Sequence, residues 1–151
     1  MTEMQYVVFR LGNERFCVDI SNVSAITEYK EITSVPNSPS YIEGVINLRG
    51  DIIPVVNLKK RFNIEEIERS DDTRIVNINF NGKDIGFIVD EASQVLRIGQ
   101  ENIEAAPEII KGKERAYISG IAKIDDRIAI VLDLAHIFND EERLAVMGLK
   151  S

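Results

Sequence analysis

The chain repeats itself. Gly44-Val45-Ile46-Asn47-Leu48-Arg49-Gly50-Asp51-Ile52-Ile53-Pro54-Val55-Val56-Asn57-Leu58 returns without a gap as Gly120-Ile121-Ala122-Lys123-Ile124-Asp125-Asp126-Arg127-Ile128-Ala129-Ile130-Val131-Leu132-Asp133-Leu134. Gly44/Gly120, Ile52/Ile128, Val55/Val131, Leu58/Leu134 and Phe62/Phe138 are identical at one offset of 76 (120 − 44). Asn57/Asp133, Leu48/Ile124 and Val45/Ile121 match in chemistry. A diverged tandem duplication restricts the fold to two copies of one small unit. Each copy reads as a strand, a tight turn, a second apolar strand and a short helix. Asn57 and Asp133 are suited to capping those helices, because their side chains accept from orphan first-turn amides.

Upstream of each copy lies a hairpin pattern. Tyr6–Leu11 and Arg15–Ile20 join through Gly12-Asn13-Glu14, and Arg74–Phe80 and Ile85–Asp90 join through Asn81-Gly82. Asn-Gly between alternating apolar residues is a strong hairpin signal, since both residues tolerate positive φ. An Asp follows each hairpin (Asp19, Asp90) and leads to an apolar segment, Val23–Ile26 or Val95–Ile98. A proline-bearing stretch comes next in each half, at Val35–Pro39 and at Ala105–Glu108.

About five short strands per half, with little helix, predict an all-β chain of two small closed barrels rather than a sandwich. Pro54 cannot donate to a ladder, which predicts an edge or a bulge at its position. We read residues 1–151 as one domain with approximate subdomains 1–70 and 71–145, a terminal strand being free to cross between them. The acidic stretch Asn63–Asp72 links the halves as a solvated surface, and Asn139–Met147 forms a capped terminal helix.

A chain of 151 residues buries roughly two-thirds of its unfolded surface, so it needs no disulfide or metal to build a core. Its single cysteine, Cys17, suits a reducing compartment. The first residues carry no secretion signal, and no apolar run reaches the ~18 residues of a membrane span. These features predict a cytoplasmic chain. A net charge of −7 and no Trp argue against a nucleic-acid-binding barrel, which needs a basic face with aromatic residues.

Catalytic chemistry is not visible in the pattern. His136 stands alone, without ligand-spaced partners for a metal. Cys17, between Phe16 and Val18, reads as a buried thiol with no positioned base. No phosphate loop or nucleophile elbow is present. Asp125-Asp126 reads as a hairpin turn. The repeat does differ at one informative point, Arg49 in the first turn against Asp125 in the second. A guanidinium fork beside apolar strands is a composition found at interface centres; a surface ion pair accounts for it equally well. Gly44 and Gly50 read first as turn glycines.

The block Gly44–Gly50 followed by Ile53-Pro54-Val55-Val56-Asn57-Leu58 resembles the signature of the CheW family of chemotaxis coupling proteins. The likeness extends over nearly the whole chain, through Val23, Gly86-Phe87-Ile88-Val89-Asp90 and Ala106-Pro107-Glu108. The block is shared with the regulatory domain of the kinase CheA and with CheV proteins; the length fits a stand-alone CheW-like chain. The resemblance implies two SH3-like five-stranded β-barrels with short connecting helices and a C-terminal helix. It also implies a non-catalytic adaptor, without cofactor or metal, joining the cytoplasmic tips of methyl-accepting chemotaxis receptors to the histidine kinase CheA. In the family the receptor docks in the groove between the barrels; the matching positions are Val23, Gly44, Arg49, Gly86 and Val95. Ile20 matches the kinase-binding surface, and Glu108 and Ile109 match the loop that closes rings of kinase and coupling domains. A small-molecule-binding double barrel is the alternative; the lack of a convergent polar cluster in the sequence argues against it.

Overall fold

In the computed structural model, residues 3–65, 69–80, 82–107 and 117–138 are described. The expected terminal helix at 139–147 lies outside them, as do Glu108 and Ile109. Eleven strands are seen among the described residues: β1 (Glu3–Leu11), β2 (Glu14–Asp19), β3 (Val23–Glu28), β4 (Ile42–Leu48), β5 (Asp51–Asn57), β6 (Arg74–Phe80), β7 (Lys83–Val89), β8 (Glu91–Gly99), β9 (Ile103–Glu104), β10 (Ile118–Ile124) and β11 (Arg127–Leu132). One α-turn, α1 (Leu58–Arg61), follows β5, and a 3-10 turn, Leu134–His136, stands at the same point after β11. Asn57 caps α1 as expected, its side chain accepting from the Lys60 amide at 3.1 Å.

The strands form two sheets, ordered β3-β6-β7-β5-β4 and β8-β1-β2-β11-β10-β9. Both close in the same way. The chain leaving β3 bends until Thr33 bridges Val45 on β4, the opposite edge. The chain leaving β8 turns through Gln100–Asn102, and β9 then pairs with β10. Register shifts fall at matching places in the two sheets, in β3 and β8 and again before Gly44 and Gly120. Such bulges supply the bends that a small barrel requires.

The halves exchange their hairpins. The first hairpin, β1-β2, belongs to the sheet of β8–β11, while β6-β7 belongs to the sheet of β3–β5. A boundary near residue 70 therefore cuts across both sheets, and the crossing is a whole hairpin in each direction rather than one terminal strand. The reason is connection length. Only Ile20–Asn22 separates β2 from β3, too few residues to carry the chain past β2 onto the free edge of β1. The edge of β6 offers the same pairing without that crossing.

The hairpins superimpose at an offset of 69 (77 − 8 and 86 − 17), since Val8 faces Cys17 in one and Asn77 faces Gly86 in the other. Asp19 and Asp90 are thus not equivalent, contrary to their matched look in the sequence. Pro54 also departs from expectation: β5 is an inner strand, paired along its length with β4. Its pairing with β7 begins only at Val55, so Pro54 stands just before both sides are engaged.

Alternation along the strands builds three cores. Tyr6, Val8, Cys17, Ala122, Ala129 and Val131 fill one barrel. Ile46, Leu48, Ile53, Val55, Ile75 and Ile88 fill the other. The remaining faces meet in a shared core along the seam, containing Val7, Phe9, Leu11, Phe16, Val76, Ile78 and Phe87 among others. The hairpin strands are buried on both faces over Tyr6–Phe9, Phe16–Val18 and Ile85–Val89, where they read as continuous apolar runs. Two aromatic stacks, Phe62–Tyr117 at 5.2 Å and Tyr41–Phe138 at 5.8 Å, join each half to its copy in the seam.

Candidate docking surface

Gly44 and Gly86, both assigned to receptor contact by resemblance, are buried and lie on either side of Val55, which pairs with each. A Cβ on Gly44 would meet the Thr33 carbonyl oxygen at 2.0 Å, and its φ of +147° lies outside the range of ordinary side chains. A Cβ on Gly86 would meet Ile75 Cγ2 at 2.8 Å. Their local task is to let strands approach inside one barrel, so an effect on docking would act through the shape of that barrel.

Val23, Val95 and Arg49 are placed differently. Val23 opens β3 and packs, half-buried, against the shared core. Val95 lies on β8 opposite Val7 and is 49% exposed. Paired residues of neighbouring strands project to one side of the sheet, so Val95 borders the seam on the Val7 face. Arg49 occupies the β4–β5 turn with φ 54°, followed by Gly50 at φ 90°. That turn is stabilised by Asn47 Oδ1, which accepts from the Gly50 amide at 2.9 Å. The guanidinium is thereby carried out on an exposed tip, at the end of the barrel where β3 begins. Ile20 sits in the 3-10 turn Ile20–Asn22, partly packed on the shared core. The turn is capped by Asp19, whose Oδ1 accepts from the Ser21 amide at 2.9 Å.

The structure adds a residue that the sequence reading missed. Ile26 pairs with Val76 as Val95 pairs with Val7; it is the counterpart of Val95 at the hairpin offset and is 39% exposed. The repeat at 76 hides this match, while aligning the two hairpins on their turns reveals it. The other large exposed apolar residues among those described, Ile52 and Ile128, are likewise a matched pair, beside the β4–β5 and β10–β11 turns.

The fold also gathers polar groups that are scattered in the sequence. A cavity of about 210 Å³ is lined by Tyr29, Glu43, Asn57, Lys59, Arg69, Thr73, Ile88 and Asp90. Its polar groups are engaged: Lys59 Nζ with Asp90 Oδ1 at 2.8 Å, Asn57 Nδ2 donating to Glu43 Oε1 at 2.8 Å, and Glu43 also with Lys60, outside the lining, at 3.1 Å. The Arg69 guanidinium lies over the Tyr29 ring at 4.0 Å. His136 is exposed and paired with Asp133 at 2.7 Å. Among the described residues no group of three His, Cys, Asp or Glu is placed to hold a metal ion, and no helix is long and apolar enough to cross a membrane. Burial pushes the Cys17 thiol up to about 12 from an ordinary 9.0.

Comparisons with known proteins agree with this geometry. The model of the CheW-like domain matches residues 5–142. Chemotaxis protein CheW of Klebsiella aerogenes is 32% identical over 94% of this chain and 86% of its own length. CheW of Treponema pallidum is 34% identical over 93% and 85%. The crystal structure of the scaffolding protein TtCheW from Thermoanaerobacter tengcongensis superimposes with a TM-score of 0.85 at 38% identity, covering 93% of this chain and 96% of that one. The duplicated double barrel described above is therefore a member of the CheW-like domain family.

Proposed function

We propose that this chain is a non-catalytic chemotaxis scaffold that couples methyl-accepting receptors to the histidine kinase CheA. The observation that carries the reading is the matched pair Ile26 and Val95, apolar and exposed beside the inter-barrel seam. Two apolar side chains bordering the seam give a partner's apolar face area to bury there. An amphipathic helical hairpin, the form of a receptor's cytoplasmic tip, supplies such a face. Val23 extends the surface along β3, and Arg49 offers charge-assisted hydrogen bonds to acceptors on the docked helices. Membership of the CheW-like family supports the same assignment, as do relatives named chemotaxis protein CheW. Ile20, Glu108 and Ile109 are the proposed kinase contacts, on the strength of the family resemblance. Such a chain works in the cytoplasm at the receptor array.

The experiment is gel filtration of the chain with a receptor-tip fragment and with a CheA regulatory domain, separately and together. Co-elution with each, and a ternary peak with both, is the expected result. Separate elution from both partners at concentrations of tens of micromolar, a range typical of weak docking, would remove the assignment.

A further inference from the structure

We propose that Asp90 is a latch that fixes the angle between the two barrels, and with it the spacing between the seam-bordering residues of β3 and those of β8. Asp90 is the crossover residue, following β7 in one barrel and preceding β8 in the other. Its backbone amide donates to the Arg10 carbonyl at 2.9 Å. Its Oδ2 accepts from the Gly12 amide at 2.7 Å, so it grips the tip of the β1–β2 hairpin twice. Its Oδ1 accepts from Lys59 Nζ at 2.8 Å, on α1 of the opposite barrel. Both side chains are almost fully buried, at 6% and 7% exposure. Arg10 Nη1 donates to the Gly12 carbonyl at 2.7 Å and stiffens the gripped tip.

A buried ion pair is an expensive way to gain stability, because desolvation offsets most of the Coulomb gain and apolar replacements often serve as well. What it supplies here is direction. The seam is filled by aliphatic and aromatic side chains, whose contacts constrain separation far more than angle. Arg61 Nη2, donating to the Ile137 carbonyl at 2.8 Å, is another directional contact across it. The latch is also one-sided: at the equivalent positions stand an exposed Ser21 and an alanine, Ala135. One flank of the seam is thus tied by a carboxylate and a lysine that the duplicated flank has no means to copy. Only the consequence of the latch for docking rests on the function proposed above; its geometry does not.

The test is a distance measured in the free, full chain. Lys83→Cys on one barrel and Lys123→Cys on the other, both exposed, accept nitroxide labels for pulsed EPR, while the buried Cys17 does not react. Replacing the pair by Lys59→Met with Asp90→Leu is expected to shift and widen the distance distribution while the fold melts cooperatively. Asp90→Asn, which keeps an acceptor for Gly12, is expected to widen it less, and it serves alone should the double variant fail to fold. A control, Ile53→Val, thins one barrel's interior and should lower the melting temperature without moving the distance. Parent-like distributions in the latch variants, or a distance that moves equally in the control, would overturn the proposal. Receptor-tip binding by the same proteins separates the two readings: a moved distance with no binding even by the parent leaves the latch and removes the docking role.

Discussion

Gly44 lies beneath Thr33, so close that a Cβ would sit 2.0 Å from the Thr33 carbonyl oxygen. Gly120 stands in the same relation to Glu104, at 2.6 Å, in the other barrel. These carbonyls belong to the segments that close the barrels, and Thr33 and Val45 exchange both backbone hydrogen bonds, at 2.9 and 3.0 Å. Gly44→Ala must break that closure or distort the strand, and the loss is expected to be about 3 kcal/mol or more. Gly120→Ala has more room and should cost less, about 1–2 kcal/mol. Urea denaturation of the two variants checks the order; equal midpoints would show that the Cβ clearance does not set the cost at these two glycines.

Arg49 has the left-handed φ of 54° that its turn demands. Arg49→Gly should leave stability within about 1 kcal/mol of the parent, because relief of backbone strain offsets the added freedom of the unfolded chain. The same change, like Arg49→Glu, removes the guanidinium and should weaken receptor-tip binding about tenfold, the loss of one charge-assisted hydrogen bond. Calorimetric titration separates the two effects. A parent-like affinity in Arg49→Glu would take Arg49 out of the interface.

Much of this architecture is written in the chain. The offset of 76 exposes the repeated β4–β5 and β10–β11 units, and turn chemistry at Gly12, Gly82 and Arg49 locates the hairpins. The exchange of hairpins is not written there, because it follows from the three-residue reach between β2 and β3 and from edges that exist only once both sheets form. Ile26 was hidden for a related reason: its counterpart Val95 appears only at the hairpin offset. Arg49 stands on an exposed tip and Val23 is half-buried at the start of β3, whereas Gly44 and Gly86 are buried, because a glycine that strand approach requires looks in sequence the same as one that a partner touches. The Lys59–Asp90 pair, separated by 31 residues, carried no local pattern to signal it.

Val95 and Ile26 supply a second docking prediction. Val95→Asp and Ile26→Asp lie on exposed strand positions, where substitutions usually change stability by less than about 0.5 kcal/mol. Each should weaken receptor-tip binding, and more than additively if both flank one docked helix pair. Ile128→Asp is the matched control, equally apolar and 61% exposed, but at the β10–β11 turn rather than on β3 or β8. A loss of binding in all three variants would point to general solubility rather than to a defined surface.

Asn77 and Val8 occupy equivalent interior positions in the two barrels. Asn77 is fully buried; its Nδ2 makes a long bond of 3.4 Å to the Ala25 carbonyl, and its Oδ1 has no partner among the described residues. Asn77→Val copies the apolar solution of the other barrel and removes an unsatisfied acceptor. It should stabilise the chain by about 1 kcal/mol. A destabilised variant would show that the amide is satisfied in solution, for which a buried water is the simplest agent.

Cys17 and Tyr6 give the fold a dependence on alkaline pH. Burial holds the Cys17 thiol neutral up to about 12, while in the unfolded chain it ionises near its ordinary 9.0. Tyr6 is raised from 10.0 in the same direction, by desolvation first and then by its ionisable neighbours Cys17 and Asp19. Below pH 9 both states hold the thiol proton and stability does not vary with this group. Above pH 9 the unfolded chain releases the proton and the folded chain keeps it. Stability should therefore fall, by up to about 1.4 kcal/mol per pH unit for one group, until the folded value is reached. Cys17→Ala should flatten most of that slope between pH 9 and 10, leaving the Tyr6 contribution above it. Iodoacetamide at pH 8 gives an independent check: the folded parent should resist alkylation and the urea-unfolded chain should react, whereas rapid reaction of the folded chain would mean that the barrel interior opens to solvent.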